Sequence, residues 1–326
     1  MTKCHLCGRK AGSFKKINTA ELFECKKCQL VTIIDKHNHK KKLKQLYNLK
    51  NYLNEAKRLK KVLLKHSTIV CHFNNKLKNR KGKTSKVLKI LDIGGGYGLF
   101  DSLLVKRLVG ENLGNNKKTS SSRSNNFTSK NSVLEKINNN IKLEVIEPSQ
   151  KPYFLKKIPH KLHKTSFENF LKTSRKKYDL VIMMDVLEHF KNPSENLKKT
   201  LKILTKDGQL VIQTPNYQSL MAKICKNWAW WMPEDHKYIF SVNSLKKIIK
   251  KDYKIEHFQT YEDFYSFKKN FDGNFTEINS HVVRKLIKAV VYGLFFPLYL
   301  LLRPIIWRLG YGGLIFLVAK KRYNNS

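Results

Sequence analysis

The sequence predicts an α/β fold: a mostly parallel sheet with helices on both faces, preceded by a small metal-clipped module. Three observations carry that expectation. Short apolar segments alternate with amphipathic helical ones from about residue 86 to 261, the pattern of a sheet covered on both faces. Residues 86–109 run from an apolar strand through a glycine cluster into a helix. Two close cysteine pairs, Cys4/Cys7 and Cys25/Cys28, stand ahead of both.

Size and composition agree. A chain of 326 residues suits one α/β domain with a small appendage. Its 41% hydrophobic content excludes a wholly disordered chain. The formal charge of +41 raises the question of an anionic partner, whether nucleic acid, an anionic membrane or a phosphorylated substrate. The excess is mostly lysine, spread along the chain among many asparagines and isoleucines. Codon bias in an A- and T-rich genome is the simpler account. No apolar signal segment opens the chain, so a cytoplasmic, reducing compartment is expected and a metal site suits the cysteines better than disulfides. Glycosylation-type triplets at Asn126 and Asn274 would carry no meaning there.

The elements follow in chain order. Within residues 1–35, Cys4-x2-Cys7 and Cys25-x2-Cys28 are separated by seventeen residues, the spacing of a zinc ribbon. Two thiolates three positions apart on one tight turn share an ion, and two such turns complete a closed tetrahedral site with a structural role. His5, His37 and His39 read as bystanders. Residues 36–84 form a lysine-rich connector with a helical pattern over 43–66. The main domain is expected over 85–326. Its strands are predicted at 86–93, 141–147, 161–165, 178–184, 208–214, 253–261 and 313–320. Helices are predicted at 99–109, 194–204 and 243–251. Asn192, Pro193 and Glu195 give the second of these a cap, a first-turn proline and a capping box. Residues 110–140 are polar and low in complexity and read as a disordered surface insertion.

The most informative segment is Leu91-Asp92-Ile93-Gly94-Gly95-Gly96-Tyr97-Gly98. Glycines at a strand-to-helix turn let the backbone take positive φ and approach a ligand closely. A dinucleotide fingerprint beginning at Gly94 would need its third glycine at Leu99, and the glycine is instead Gly98. With Asp92 ahead of Gly94, Gly96 and Gly98, the turn resembles the first motif of class I S-adenosylmethionine-dependent methyltransferases. That resemblance implies a Rossmann-like seven-stranded sheet and a turn that holds the amino-acid end of the cofactor. Glu147 closes the next strand, where a carboxylate can accept from both ribose hydroxyls. It lies 49 residues past Gly98, but 18 once the 31-residue stretch 110–140 is set aside.

Tyr178–Phe190 resembles the fourth motif of the same family, D-x-V-x-x-x-x-V-L-E-H, as in the O-methyltransferases of quinone biosynthesis. Asp185, Glu188 and His189 thereby fall beyond the end of a strand, where open α/β sheets bind ligands. Asp185 reads either as a wall of the cofactor pocket or as a turn residue. Glu188 and His189 read as orienting groups or as structure. Related enzymes carry a segment like Glu234-Asp235-His236-x-x-x-Phe240-Ser241 beside the acceptor, here preceded by Trp228, Trp230 and Trp231. An oxygen or carbon acceptor needs a base, and His236 or His189 is the candidate. A ribbon ahead of such a domain also resembles bacterial sugar C-methyltransferases, which carry a longer C-terminal half.

Ala289–Leu302 is almost wholly apolar, with Arg284, Lys285 and Lys288 before it and Arg303 and Arg308 after. Fourteen residues interrupted by Pro297 are too short to span a bilayer, so a buried or an interfacial helical insertion over 282–310 is expected, the latter giving peripheral membrane contact. The expected function is methyl transfer to a small-molecule, glycan or lipid-linked acceptor, with S-adenosylmethionine as cofactor and structural zinc. An RNA acceptor and a non-catalytic cofactor-fold protein are the alternatives. The first has charge in its favour but no compact basic-aromatic module; the second is opposed by the intact turn and Glu147.

Overall fold

A computed structural model describes residues 2–35, 37, 47–79, 87–110, 135, 137, 139–262, 264–275 and 278–322. The insertion expected at 110–140 lies almost entirely outside the described residues, as do His39, Asn126 and most of the connector before residue 47.

The N-terminal strands β1 (Gly12–Ile17), β2 (Ala20–Cys25) and β3 (Leu30–Ile34) form an antiparallel ribbon. Its sheet does not end with the ribbon. β3 pairs with β9 (Tyr238–Phe240) of the main domain, Val31 opposite Ile239. The ribbon is thus joined to the larger domain through backbone hydrogen bonds.

The connector helix runs further than predicted. α1 covers Leu49–Asn79, and Asn48 caps it by accepting from the Asn51 amide at 2.9 Å. Ala56, Leu63 and Val70 carry its apolar face into the core against α2 (Leu99–Leu108). It is therefore part of the domain rather than a linker.

The main sheet has seven strands, in the order β10 (Tyr253–Tyr261), β11 (Leu314–Lys321), β8 (Leu204–Pro215), β7 (Tyr178–Met184), β4 (Leu88–Ile93), β5 (Ile141–Ile146) and β6 (Lys161–His163). All pairs are parallel except those of β11, which is antiparallel to β8 and β10. Alternate residues feed two cores. Leu91, Ile93, Val181, Met183 and Ile212 face one, and Ile90, Leu180, Ile182, Val211 and Phe316 face the other. This is why these strands read as continuous apolar runs. On the chain's passage from β4, β5 and β6 lie to one side and β7 and β8 to the other, so a topological switch point sits beside the end of β4.

The helices α3 (Phe167–Thr173), α4 (Pro193–Ile203), α5 (Leu220–Ile224) and α6 (Val242–Ile249) are each capped by a side chain. In α4, Asn192 accepts from the Glu195 amide at 3.0 Å and its own amide donates to the Glu195 carboxylate at 3.0 Å. Two expectations are corrected. The strand expected at 208–214 is longer: β8 begins at Leu204 opposite Tyr178, runs through Asp207 and Gly208, and shifts register before Gln209 pairs with Leu180. The apolar C-terminal segment is one unbroken helix, α8 (His281–Arg308), which follows α7 (Phe264–Asn274) and contains both Pro297 and Pro304. None of its residues is buried. Among the described residues it is one helix long and apolar enough to cross a membrane, so the length argument drawn from the fourteen-residue run does not hold.

Candidate active site

The parallel strands β4, β5, β7 and β8 end at one edge of the sheet, and the residues singled out in the sequence converge there. After β4, the turn places Gly94, Gly96 and Gly98 at φ 72°, 53° and 75°. A Cβ on Gly94 would stand 2.5 Å from Val186 Cγ2, and one on Gly98 would stand 2.7 Å from Leu155 Cγ. At Gly96 a Cβ would meet nothing within 4 Å. Two glycines are therefore set by packing as well as by φ, while Gly96 borders open space.

Glu147 is joined to this turn. Its Oε2 accepts from the Gly96 amide at 2.9 Å, and its Oε1 accepts from the amides of Ser149 and Gln150 at 2.8 and 3.1 Å. The insertion between β4 and β5 thus leaves the expected carboxylate beside the turn. Asp92 is buried beneath it. Burial and the neighbouring carboxyl of Asp101 push Asp92 well above the usual carboxylate range. Burial also lifts Asp101 to about 6, with the adjoining Asp92 carboxyl working against that rise.

Asp185, at the end of β7, has φ 55°, rare for a residue with a side chain. Its amide donates to the Gln213 carbonyl at 2.9 Å, and its Oδ2 accepts from Gln213 Nε2 at 2.8 Å. Tyr261 in turn donates to Gln213 Oε1 at 2.5 Å. Burial raises Asp185 to about 6, and its Oδ1 is buried without a partner among the described residues. Strain at a strand end, upheld by Gln213 and Tyr261 from two other strands, is of the kind that gathers at functional positions.

Glu188 is fully buried. Its Oε2 accepts from Thr214 Oγ1 at 2.9 Å, its Oε1 has no partner among the described residues, and burial lifts it to about 8. His189 and His236 stack edge to face with centroids 5.0 Å apart. Their states differ. Burial opposes charge on His189, but Asp235 at 3.4 Å and Glu188 outweigh it and hold its imidazole at about 9. His236 is driven down to about 3, first by burial and then by the charge of His189. The neutral His236 ring donates through Nδ1 to the Trp230 carbonyl at 3.0 Å, leaving Nε2 as an acceptor. Glu188, His189 and His236 each bring one donor atom within 4.8 Å of the others, a spacing open to a cation.

Sequence reasoning missed the cover of this site. Tyr47 donates to Asp235 Oδ2, and Tyr97 donates to the Tyr47 carbonyl at 2.6 Å. Tyr52 packs on Tyr97 with ring centroids 4.7 Å apart, and the field of Asp185 reaches it. The start of α1 therefore closes over the turn. Tyrosines at the head of an amphipathic helix were the only available signal, and they read equally as core. The three tryptophans do not act as one group. Trp228 and Trp231 are buried against the ribbon with Leu22 and Ile239, and only Trp230 reaches toward the main core.

At the other end, the sulfurs of Cys4, Cys7, Cys25 and Cys28 lie within 4.8 Å of one another, and none is in a disulfide. Burial pushes the Cys28 thiol up, and Lys247 Nζ, 3.1 Å from its Sγ, works against that rise.

Comparisons with known proteins place these observations. Residues 51–252 match a family model described as a methyltransferase domain. Curated protein sequences give no match. Among solved structures, the plantazolicin methyltransferase BpumL in complex with SAH overlays with a TM-score of 0.46 at 14% identity, covering 87% of this chain and 98% of that one. The plantazolicin methyltransferase BamL, with a triazolic desmethylPZN analog and SAH, gives 0.48 at 16% identity, covering 88% and 92%. The Burkholderia thailandensis 1,6-didemethyltoxoflavin-N1-methyltransferase gives 0.42 at 7% identity, covering 96% and 100%.

Proposed function

The chain belongs to the methyltransferase-domain family and is an S-adenosylmethionine-dependent methyltransferase; from that premise we propose that it methylates oxygen or carbon of a small-molecule, glycan or lipid-linked acceptor. One observation carries the cofactor site. Asp92, Asp101, Glu147, Asp185, Glu188 and Asp235 gather at one sheet edge in a chain that has only 24 acidic residues against 65 basic ones. Burial raises Asp92, Asp101, Asp185 and Glu188, with a neighbouring carboxyl adding to the rise for Asp92 and Glu188, an arrangement that favours a bound cation. When bound, the cofactor supplies a methyl group on a positively charged sulfur.

The residues fit that group. Gly96 leaves room where a side chain would fill it, and Asp185 keeps a buried oxygen free. In this reading Gly94, Gly96 and Gly98 hold the amino-acid end. Glu147, fixed by three amides, turns its remaining acceptor capacity to the ribose hydroxyls. Asp185 walls the pocket near the sulfur, and Asp92 supports the turn from below while adding negative field.

The two histidines divide the acceptor's chemistry. His236, neutral and oriented by Trp230, presents Nε2 to take the acceptor's proton. His189, kept charged by Asp235, stabilises the anion that forms. Tyr47 and Tyr52 exclude water from above. Methyl transfer itself requires alignment more than covalent help, so positioning supplies most of the rate.

We also propose that Cys4, Cys7, Cys25 and Cys28 hold a structural zinc ion in a ribbon over 1–35. The β3–β9 pairing would let that ion brace the strand that follows His236. The test is transfer of labelled methyl from S-adenosylmethionine to fractionated acceptors. Label in lipid, glycan or small-molecule fractions is expected; label confined to RNA would overturn the acceptor class.

A further inference from the structure

We propose that α8 is an in-plane membrane anchor that seats the enzyme on an anionic phospholipid surface. Leu286, Val290, Leu294, Leu298, Leu301 and Ile305 recur three and four positions apart and are 51–75% exposed, one continuous apolar stripe along the helix. The opposite side leans on the domain. Phe267 of α7 stacks on Tyr299 at 4.4 Å and meets Phe296 at 5.4 Å. Water is a costly neighbour for a stripe of this length, so something covers it.

Charge identifies the cover. The helix carries Arg284, Lys285, Lys288, Arg303 and Arg308 and no acidic residue. A second copy of the chain would bring two bodies of +41 together along a basic helix. Anionic headgroups complement both the stripe and its flanks.

Topology sets the orientation. At the C-terminal end, Thr260 donates to the Trp307 carbonyl at 2.6 Å and Asn216 to the Gly310 carbonyl at 2.9 Å, after which the chain enters β11 between β8 and β10. At the other end, Lys288 pairs with Asp272 of α7 at 2.7 Å. Both ends are thus held to one domain on one side of any bilayer. A crossing helix would have to take β11, or α7 with its Lys268 and Asp272, through hydrocarbon. At about 1.5 Å per residue the helix is long enough to span, yet it must lie flat. The prolines agree. Pro297 and Pro304 deprive the carbonyls of Gly293 and Leu300 of their helical donors, which the wet headgroup layer replaces and hydrocarbon does not. The anchor is tied to the site: Trp307 meets Tyr261 edge to face at 6.5 Å, and Tyr261 holds Gln213, which holds Asp185. The proposal holds whatever the acceptor.

The experiment is flotation of the full chain with phosphatidylcholine vesicles and with phosphatidylcholine–phosphatidylglycerol vesicles. Calorimetric uptake of S-adenosylhomocysteine and a circular-dichroism melt are recorded on the same samples. Wild type is expected to float with the anionic vesicles and at least about tenfold less with the zwitterionic ones. Arg284→Gln with Lys285→Gln should weaken anionic binding about 30-fold, at about fivefold per charge. Leu294→Glu with Leu298→Glu and Leu301→Glu should abolish flotation while the melt and nucleoside uptake persist. Wild type that stays in the aqueous layer, floats equally with both lipids, or forms a dimer that only the triple variant dissociates would overturn the proposal. Flotation without nucleoside uptake would instead remove the cofactor reading and leave the anchor standing.

Discussion

Gly96→Ala separates binding from folding better than any other change in the turn. Its φ of 53° is left-handed, which costs a residue with a Cβ about 1–2 kcal/mol. No atom stands within 4 Å of the added methyl, so no packing penalty accompanies that strain. Gly94→Ala has similar backbone strain and also drives its methyl into Val186 at 2.5 Å, adding about 1–3 kcal/mol of overpacking. The expected melts follow. Gly96→Ala should lower Tm by about 2–8 °C, taking about 2–4 °C per kcal/mol for a large domain, and Gly94→Ala by roughly twice that. Cofactor affinity should order differently. The open space beside Gly96 is where the amino-acid end would approach, so the small stability loss should accompany at least about a tenfold loss in calorimetric affinity for S-adenosylhomocysteine. Gly96→Ala that melts as expected but binds like wild type would refute the assignment of this turn to the cofactor.

Other outcomes follow from the same geometry. Asp185 is raised by burial to about 6, and a cation favours its ionised form, so affinity for S-adenosylmethionine should fall as pH drops below 6, by about tenfold per unit at most. The uncharged sulfur of S-adenosylhomocysteine should show a shallower fall, and parallel profiles would count against the acidic pocket. His236→Ala should lower turnover by about 100-fold or more while cofactor affinity holds, whereas unchanged turnover removes it from proton transfer. Metal analysis should find one zinc per chain. Its removal, or Cys25→Ser, should expose the ribbon to proteolysis and lower turnover through β9, since a structural zinc contributes on the order of 10 kcal/mol to folding a small module; an unchanged melt would contradict the zinc assignment.

Much of this was legible in the residues themselves. The strands of the sheet could be located because burial on both faces makes each a continuous apolar run, a property of local sequence. Gly94, Gly96 and Gly98 were legible because positive φ at a strand-to-helix turn leaves few residue choices. A carboxylate, Glu147, closing the strand next to the turn was legible once the low-complexity stretch was set aside; its bond to the Gly96 amide was not. What stayed hidden depends on contacts between distant segments. Asp101 and Tyr47 look like a first-turn acid and a core aromatic until α1 is laid across the sheet edge. The opposite charge states of His189 and His236 arise from Asp235 and from burial, neither of which has a sequence period. The flat placement proposed for α8 rests on more than its hydropathy, because composition fixes how apolar a helix is, while the hydrogen bonds at Trp307 and Gly310 and the return into β11 hold its C-terminal end to the domain.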